Sequence, residues 1–127
     1  MTNVQAIDAI ATWLTDNGLL GGYTMQRFKV SAKNLQDDLP VALITDSGQG
    51  INNSHLEEQD YYIVLFGGST RLRTLSDDIN AVKALARSTV YPAGVVKCRA
   101  LTLPTTPAEM ENSVYQVSMQ IRLTIEV

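Results

Sequence analysis

Only a few residues in this chain have the types that chemistry needs. His55 is the single histidine and Cys98 the single cysteine. A Ser-His-Asp triad would have to use His55. It lies in a polar stretch with Asn52, Asn53, Ser54 and Glu57, and no serine sits in a G-x-S-x-G elbow. His55 reads as a solvated loop residue. One His and one Cys far apart in the chain do not make the usual zinc ligand sets. Glu57, Glu58 and Asp60 could touch a hard cation, but they lack the interleaved ligand spacing of a calcium loop and read as an acidic surface. Gly67-Gly68-Ser69-Thr70, followed by Arg71 and Arg73, could seat an anion at a helix start. The phosphate-binding glycine patterns are absent, so the segment reads as a turn and a helix cap. No cofactor, metal site or catalytic residue is expected.

One short run carries a catalytic resemblance. Leu43-Ile44-Thr45-Asp46-Ser47-Gly48 resembles the apolar-x-Asp-Ser/Thr-Gly signature of dimeric aspartic proteases. Asp46 would then be one of two carboxylates sharing a proton across a dimer. Gln49 stands where that family has a small residue, and Asp-Ser-Gly is also a common turn sequence.

The elements that must position these residues are legible from periodicity. Val4, Ile7, Ile10 or Ala11, and Leu14 predict a helix over 4–17, with Thr2 and Gln5 spaced as a capping box and Asn17-Gly18 as its stop. Trp13 beside that stripe is assigned to packing. Gly21-Gly22 opens an extended segment from Tyr23 to Val30, and 31–38 reads as a polar loop. Val41 to Ile44 has strand length. Asp46 to Glu58 lacks periodicity and reads as a long loop or hairpin tip. Tyr61 to Phe66, the longest apolar run, suits a strand covered on both faces. Leu72, Leu75, Ile79, Val82 and Ala86 form the stripe of a second helix, closed by Pro92 and Gly94. Val95 to Leu103 reads as a strand, and Thr105 to Asn112 as a loop.

The final segment is the plainest. Tyr115, Val117, Met119, Ile121, Leu123, Ile125 and Val127 are apolar, and every residue between them is polar or charged. That strict period of two predicts one buried and one wet face. Thirteen residues at ~3.3 Å each span roughly 43 Å, against a radius of gyration of about 14 Å for a domain of this length. Two readings follow: a projecting strand with an exposed edge, or a bulged strand fully paired within one sheet. The expected architecture is α+β, a mostly antiparallel sheet with two helices on one face, in the order α-β-β-β-α-β-β.

Bulk properties bound the function. A length of 127 residues suits one domain spanning 1–127. Charged residues make up 18% of the chain, below the ~25% of an average domain, as if partners cover part of the surface. A net charge of −3, with only 10 Lys and Arg, disfavours gripping nucleic acid through its phosphates. The single cysteine fits a reducing cytoplasm. The longest apolar run falls far short of the ~20 residues of a membrane span, and no signal peptide is expected.

In layout, nearly the whole chain resembles the tail terminator (tail completion) proteins of long-tailed bacteriophages. An N-terminal helix leads to an extended segment and a Pro-Val-Ala-Leu-Ile strand running into a polar loop. The Tyr61–Phe66 strand, a Gly-Gly-Ser turn, the helix Leu72–Ala86 and a long alternating strand follow. The resemblance implies a structural virion protein, not an enzyme: a homo-oligomeric ring, commonly of six subunits. Such a ring caps the tail tube at the head-proximal end of the virion after assembly in the host cytoplasm. Its implied partners are the tail tube protein and the head–tail connector or neck protein. DNA would pass through the channel without specific binding, and no membrane is involved. Axial contacts with tube or neck are assigned to Lys33, Asn34 and Asp37 in one loop and to Ser47, Gln49, Asn52, Asn53, His55, Glu57 and Glu58 in the other. Ring contacts are assigned to Arg71 and Arg73 at the second helix and to Met119, Ile121, Arg122 and Leu123 on the long strand. The alternatives are a dimeric aspartic-protease-like enzyme using Asp46 and a small cytoplasmic adaptor without a ring.

Overall fold

The computed structural model describes residues 1–29, 35–52, 56–110 and 113–126. The elements are α1 (Asn3–Asp16), β1 (Thr24–Arg27), α2 (Leu35–Asp38), β2 (Val41–Asn52), β3 (Leu56–Gly68), α3 (Leu72–Ala86), β4 (Lys97–Ala100), β5 (Ala108–Glu109) and β6 (Val114–Glu126), with a 3-10 turn at Ser69–Arg71 before α3. They form an α+β fold with one mixed sheet in the order β1-β2-β3-β6-β4, and β5 also pairs with β6. Only the β1–β2 pairing is parallel.

α1 begins as the Thr2/Gln5 spacing predicts. The Gln5 N–H donates to Thr2 Oγ1 (3.2 Å) and the Thr2 N–H donates to Gln5 Oε1 (2.8 Å), satisfying donors that a helix start leaves free. Its buried stripe is Ala6, Ile7, Ile10, Ala11, Trp13 and Leu14. Val4 falls outside it, 53% exposed. Each of the larger side chains contributes roughly 1.5–3 kcal/mol by leaving water. α3 buries Leu75, Ile79, Val82 and Ala86, as its stripe predicts. It stops at Ala86, before Pro92, because Arg87 and Ser88 turn back onto the last carbonyls. Under its first turn a Cβ on Gly67 would meet the Leu75 side chain at 3.1 Å, so any larger residue at 67 requires Leu75 to shift by a few tenths of an ångström.

The main core lies between the two helices and one sheet face. Ala42 and Ile44 of β2, Tyr61, Ile63 and Leu65 of β3, and Val117, Met119, Ile121, Leu123 and Ile125 of β6 all join it. The β6 alternation therefore reports the buried face correctly. Its edges are the point settled by the fold. β3 pairs with it along its whole length in unbroken register, from Gly68↔Val114 to Leu56↔Glu126. On its other side run β4, β5 and the extended segment between them, whose Leu101 and Thr105 N–H groups donate to Gln120 and Ser118 carbonyls. β6 is thus interior, with partners on both sides from Tyr115 to Thr124, and its register with β3 carries no bulge.

Three sequence expectations need correction. The segment Asp46 to Glu58 is mostly strand, not loop, because β2 and β3 continue their pairing to Asn52↔Glu57. The segment 31–38 ends in the short turn α2, whose Leu35 packs with Val41, Leu43, Phe66 and Val114 in a second small core on the opposite sheet face. Beyond that patch the face opens: Tyr62 is 39% exposed, so Tyr61 to Phe66 is not covered on both sides along its length.

Candidate interaction surface

The sheet face away from the main core is built from alternate residues of the three long strands. Register places Thr45 of β2 beside Tyr62 of β3 and Gln120 of β6, and next along, Asp60 of β3 beside Arg122 of β6 and Arg99 of β4. At the level of Asp60, β2 breaks register. Ser47, Gly48 and Gln49 lie between the pairs Asp46↔Tyr61 and Gly50↔Gln59, opposite the single residue Asp60. Gly48 takes φ +73° in this bulge, a conformation that costs a side-chain-bearing residue about 1–2 kcal/mol.

Asp60 is only 1% exposed. Its carboxylate accepts two hydrogen bonds from Arg122, Nε to Oδ1 at 2.7 Å and Nη2 to Oδ2 at 3.0 Å. Arg122 Nη1 also lies 3.5 Å from Glu58 Oε2. The paired fork geometry compensates the buried carboxylate. The hydrogen bond to Asp60 is the chief cause that raises the guanidinium pKa, so Arg122 stays charged. Asp60 read from sequence as part of a solvated acidic patch with Glu57 and Glu58. The structure buries it and joins it to Glu58 through Arg122, and its signal was only an Arg on another strand whose register the sequence does not state.

The motif residue Asp46 lies in β2. Its Oδ2 accepts from Asn3 Nδ2 at 3.1 Å, while Asn3 Oδ1 accepts from the Tyr61 hydroxyl at 3.0 Å. Burial, with Asp46 and Glu57 nearby, pushes the Tyr61 phenol up to about 12. The three residues tie the start of α1 to the middle of the sheet. Burial likewise pushes the Cys98 thiol up to about 12. Among the described residues no group of three or more His, Cys, Asp or Glu is arranged to hold a metal ion.

The residues assigned to contacts divide as follows. Lys33, Asn34, Asn53 and His55 lie outside the described residues. Asp37 belongs to α2, and Gln49 and Asn52 belong to β2. Ser47 is half-buried in the bulge, and Glu57 and Glu58 are half-buried on β3, with Gln59 Nε2 donating to Glu57 Oε1 at 2.6 Å. Arg71 and Arg73 are exposed at the start of α3. The assignment of Met119, Ile121 and Leu123 to subunit contacts is corrected: they are at most 1% exposed and face the helices, so they offer nothing to a neighbour. Arg122 faces the other way but is engaged with Asp60 and Glu58.

The arrangement is an open, polar and aromatic sheet face that carries a buried ion pair. Set against known proteins, the chain matches no protein-family model and no characterised sequence.

Proposed function

We propose that this chain is a structural subunit that assembles into a ring capping a phage tail tube, ending tube polymerisation and providing the docking surface for the head or neck. The observation that carries this reading is the open face of the long sheet. β2, β3 and β6 are 12, 13 and 13 residues long, roughly 40 Å each. α1 and α3, at 14 and 15 residues, are only about 22 Å long. Helices cover one face and α2 caps a small part of the other. Tyr62, Thr45, Arg99 and Lys97 stay wholly or partly exposed on a platform whose central strand β3 is paired on both sides. A surface of that kind suits docking against another protein of the assembly. The layout shared with tail terminators supplies the rest: six copies, a tube below, a neck above and DNA sliding through a channel. A net charge of −3 suits passage without adhesion.

The native mass of the full chain across a concentration series tests the reading, together with electron microscopy of tubes mixed with it. The expected result is a species near six times 13.9 kDa and density capping tube ends. A dimer at every concentration with bare tube ends would overturn it. Deleting residues 50–54, which include the last three residues of β2, is expected to leave the ring intact and abolish head attachment. Normal attachment in that variant would remove this segment from the axial contact.

A further inference from the structure

Resting on the ring reading, we infer that copies of this chain join through a knob and a cleft: Phe28, with Lys29, of one copy inserts beside Trp13 and Asp16 of the next. Two independent features of the surface lead to this pairing.

The first is the knob. Phe28 follows β1 at the sheet edge and is 43% exposed, yet it is not free to move. Its N–H donates to the Ile44 carbonyl at 2.9 Å, and the Lys29 N–H donates to the Arg27 carbonyl at 2.9 Å. Phe28 is held at φ +73°. Bulky residues rarely adopt that conformation, and it persists only where the surroundings enforce it. At 43% exposure the Phe28 side chain leaves a large part of its surface open to a partner. A strained, fixed and exposed aromatic beside a lysine is a pre-organised anchor of the type that dominates interfaces.

The second is the cleft. α1 and residues 90–93 enclose an open space of about 360 Å³ lined by Thr12, Trp13, Asp16, Val90, Tyr91 and Ala93. The Trp13 Nε1–H donates to the Val90 carbonyl at 2.9 Å, which fixes the indole as one wall. The rim is negative. Asp16 ends α1, the last helical turn contains no basic residue, and Asp16 has no ion-pair partner among the described residues. A carboxylate at the negative end of a helix dipole is electrostatically unfavourable on its own, and a cation arriving there relieves it. A cleft of mixed polar and apolar lining beside Trp13 and Tyr91, with an uncompensated acid at its rim, is the complement of Phe28-Lys29. Knob and cleft are built from different residues, so the contact is head-to-tail and can repeat around a ring.

Three variants of the full chain, compared by light scattering and thermal unfolding, test the contact. Phe28→Gly removes the ring and the strain together. The expected result is at least about thirtyfold weaker self-association with an unchanged or higher melting temperature. Asp16→Lys is expected to raise the melting temperature, by correcting the charge at the helix end, while also weakening association. Adding Lys29→Glu to Asp16→Lys restores association. Trp13 is the only tryptophan, so its emission reports cleft occupancy and is expected to shift as the wild type assembles. Assembly unaffected by Phe28→Gly and Asp16→Lys overturns the contact and leaves the ring reading standing. A wild type that stays monomeric at millimolar concentration also overturns it, and the ring reading is then judged separately on tube ends. A shift of Trp13 emission with free arginine, matched by none on self-association, identifies a small cation as the occupant and likewise overturns it.

Discussion

Asp60 and Arg122 face each other across β3 and β6 as the buried ion pair of the sheet. Removing one partner leaves the other uncompensated. Arg122→Ala is expected to cost about 3 kcal/mol or more, measured by urea unfolding. The double variant Asp60→Leu/Arg122→Met is expected to recover most of that loss, because an apolar pair needs no compensation. Tyr61 contributes to the pH dependence on the alkaline side. Its folded-state pKa, about 12, lies above the ordinary 10.0, so its contribution is fully present below pH 10 and is lost as pH rises toward 12. Cys98, raised from 9.0 to about 12, acts with the same sign. Tyr61→Phe is therefore expected to flatten part of the fall in stability between pH 10 and 12, read by denaturation at several pH values. Neither side chain's role was legible in sequence. Tyr61 reads as one of six apolar residues in a row, and Asp60 as an acid at the end of them; each is defined by a partner at least 58 residues away.

At the scale of elements, apolar periodicity marked both long helices, the faces they bury and the buried face of β6, because burial imposes a period that the sequence must carry. Backbone pairing imposes none. The extension of β2 and β3 was hidden for that reason, since their polar outer face and the turn-forming Asp46-Ser47-Gly48 look like a loop. The same blindness left the edges of β6 undecided. None of the residues assigned to contacts reads as an interface from type alone, and three of them proved to be core. The close approach of α3 to β3 at Gly67 gives a direct check. Gly67→Ala would press on Leu75 at 3.1–3.3 Å and is expected to cost about 1–2 kcal/mol, seen as a lower urea midpoint. If stability is unchanged, Leu75 has room to move and the contact is looser than its distances imply.

At the scale of the molecule, the sheet brings distant stretches of chain together. β2 and β3 are neighbours in sequence, but β3 meets β6 across separations from Gly68↔Val114 to Leu56↔Glu126. Pairings of that range are formed late and slowly, because a long loop must close before any contact rewards it. On a ribosome adding about 5–20 residues per second, β3 waits several seconds for β6 after it emerges. During that interval one backbone edge of β3 has no permanent partner. Synthesis halted before residue 114 is therefore expected to yield aggregated or chaperone-bound chains, assayed by the soluble fraction of the truncated product. The strand that completes the sheet also ends the interval in which the nascent chain is most open to wrong associations, so the supply of assembly-ready subunits is governed by the timing of its arrival.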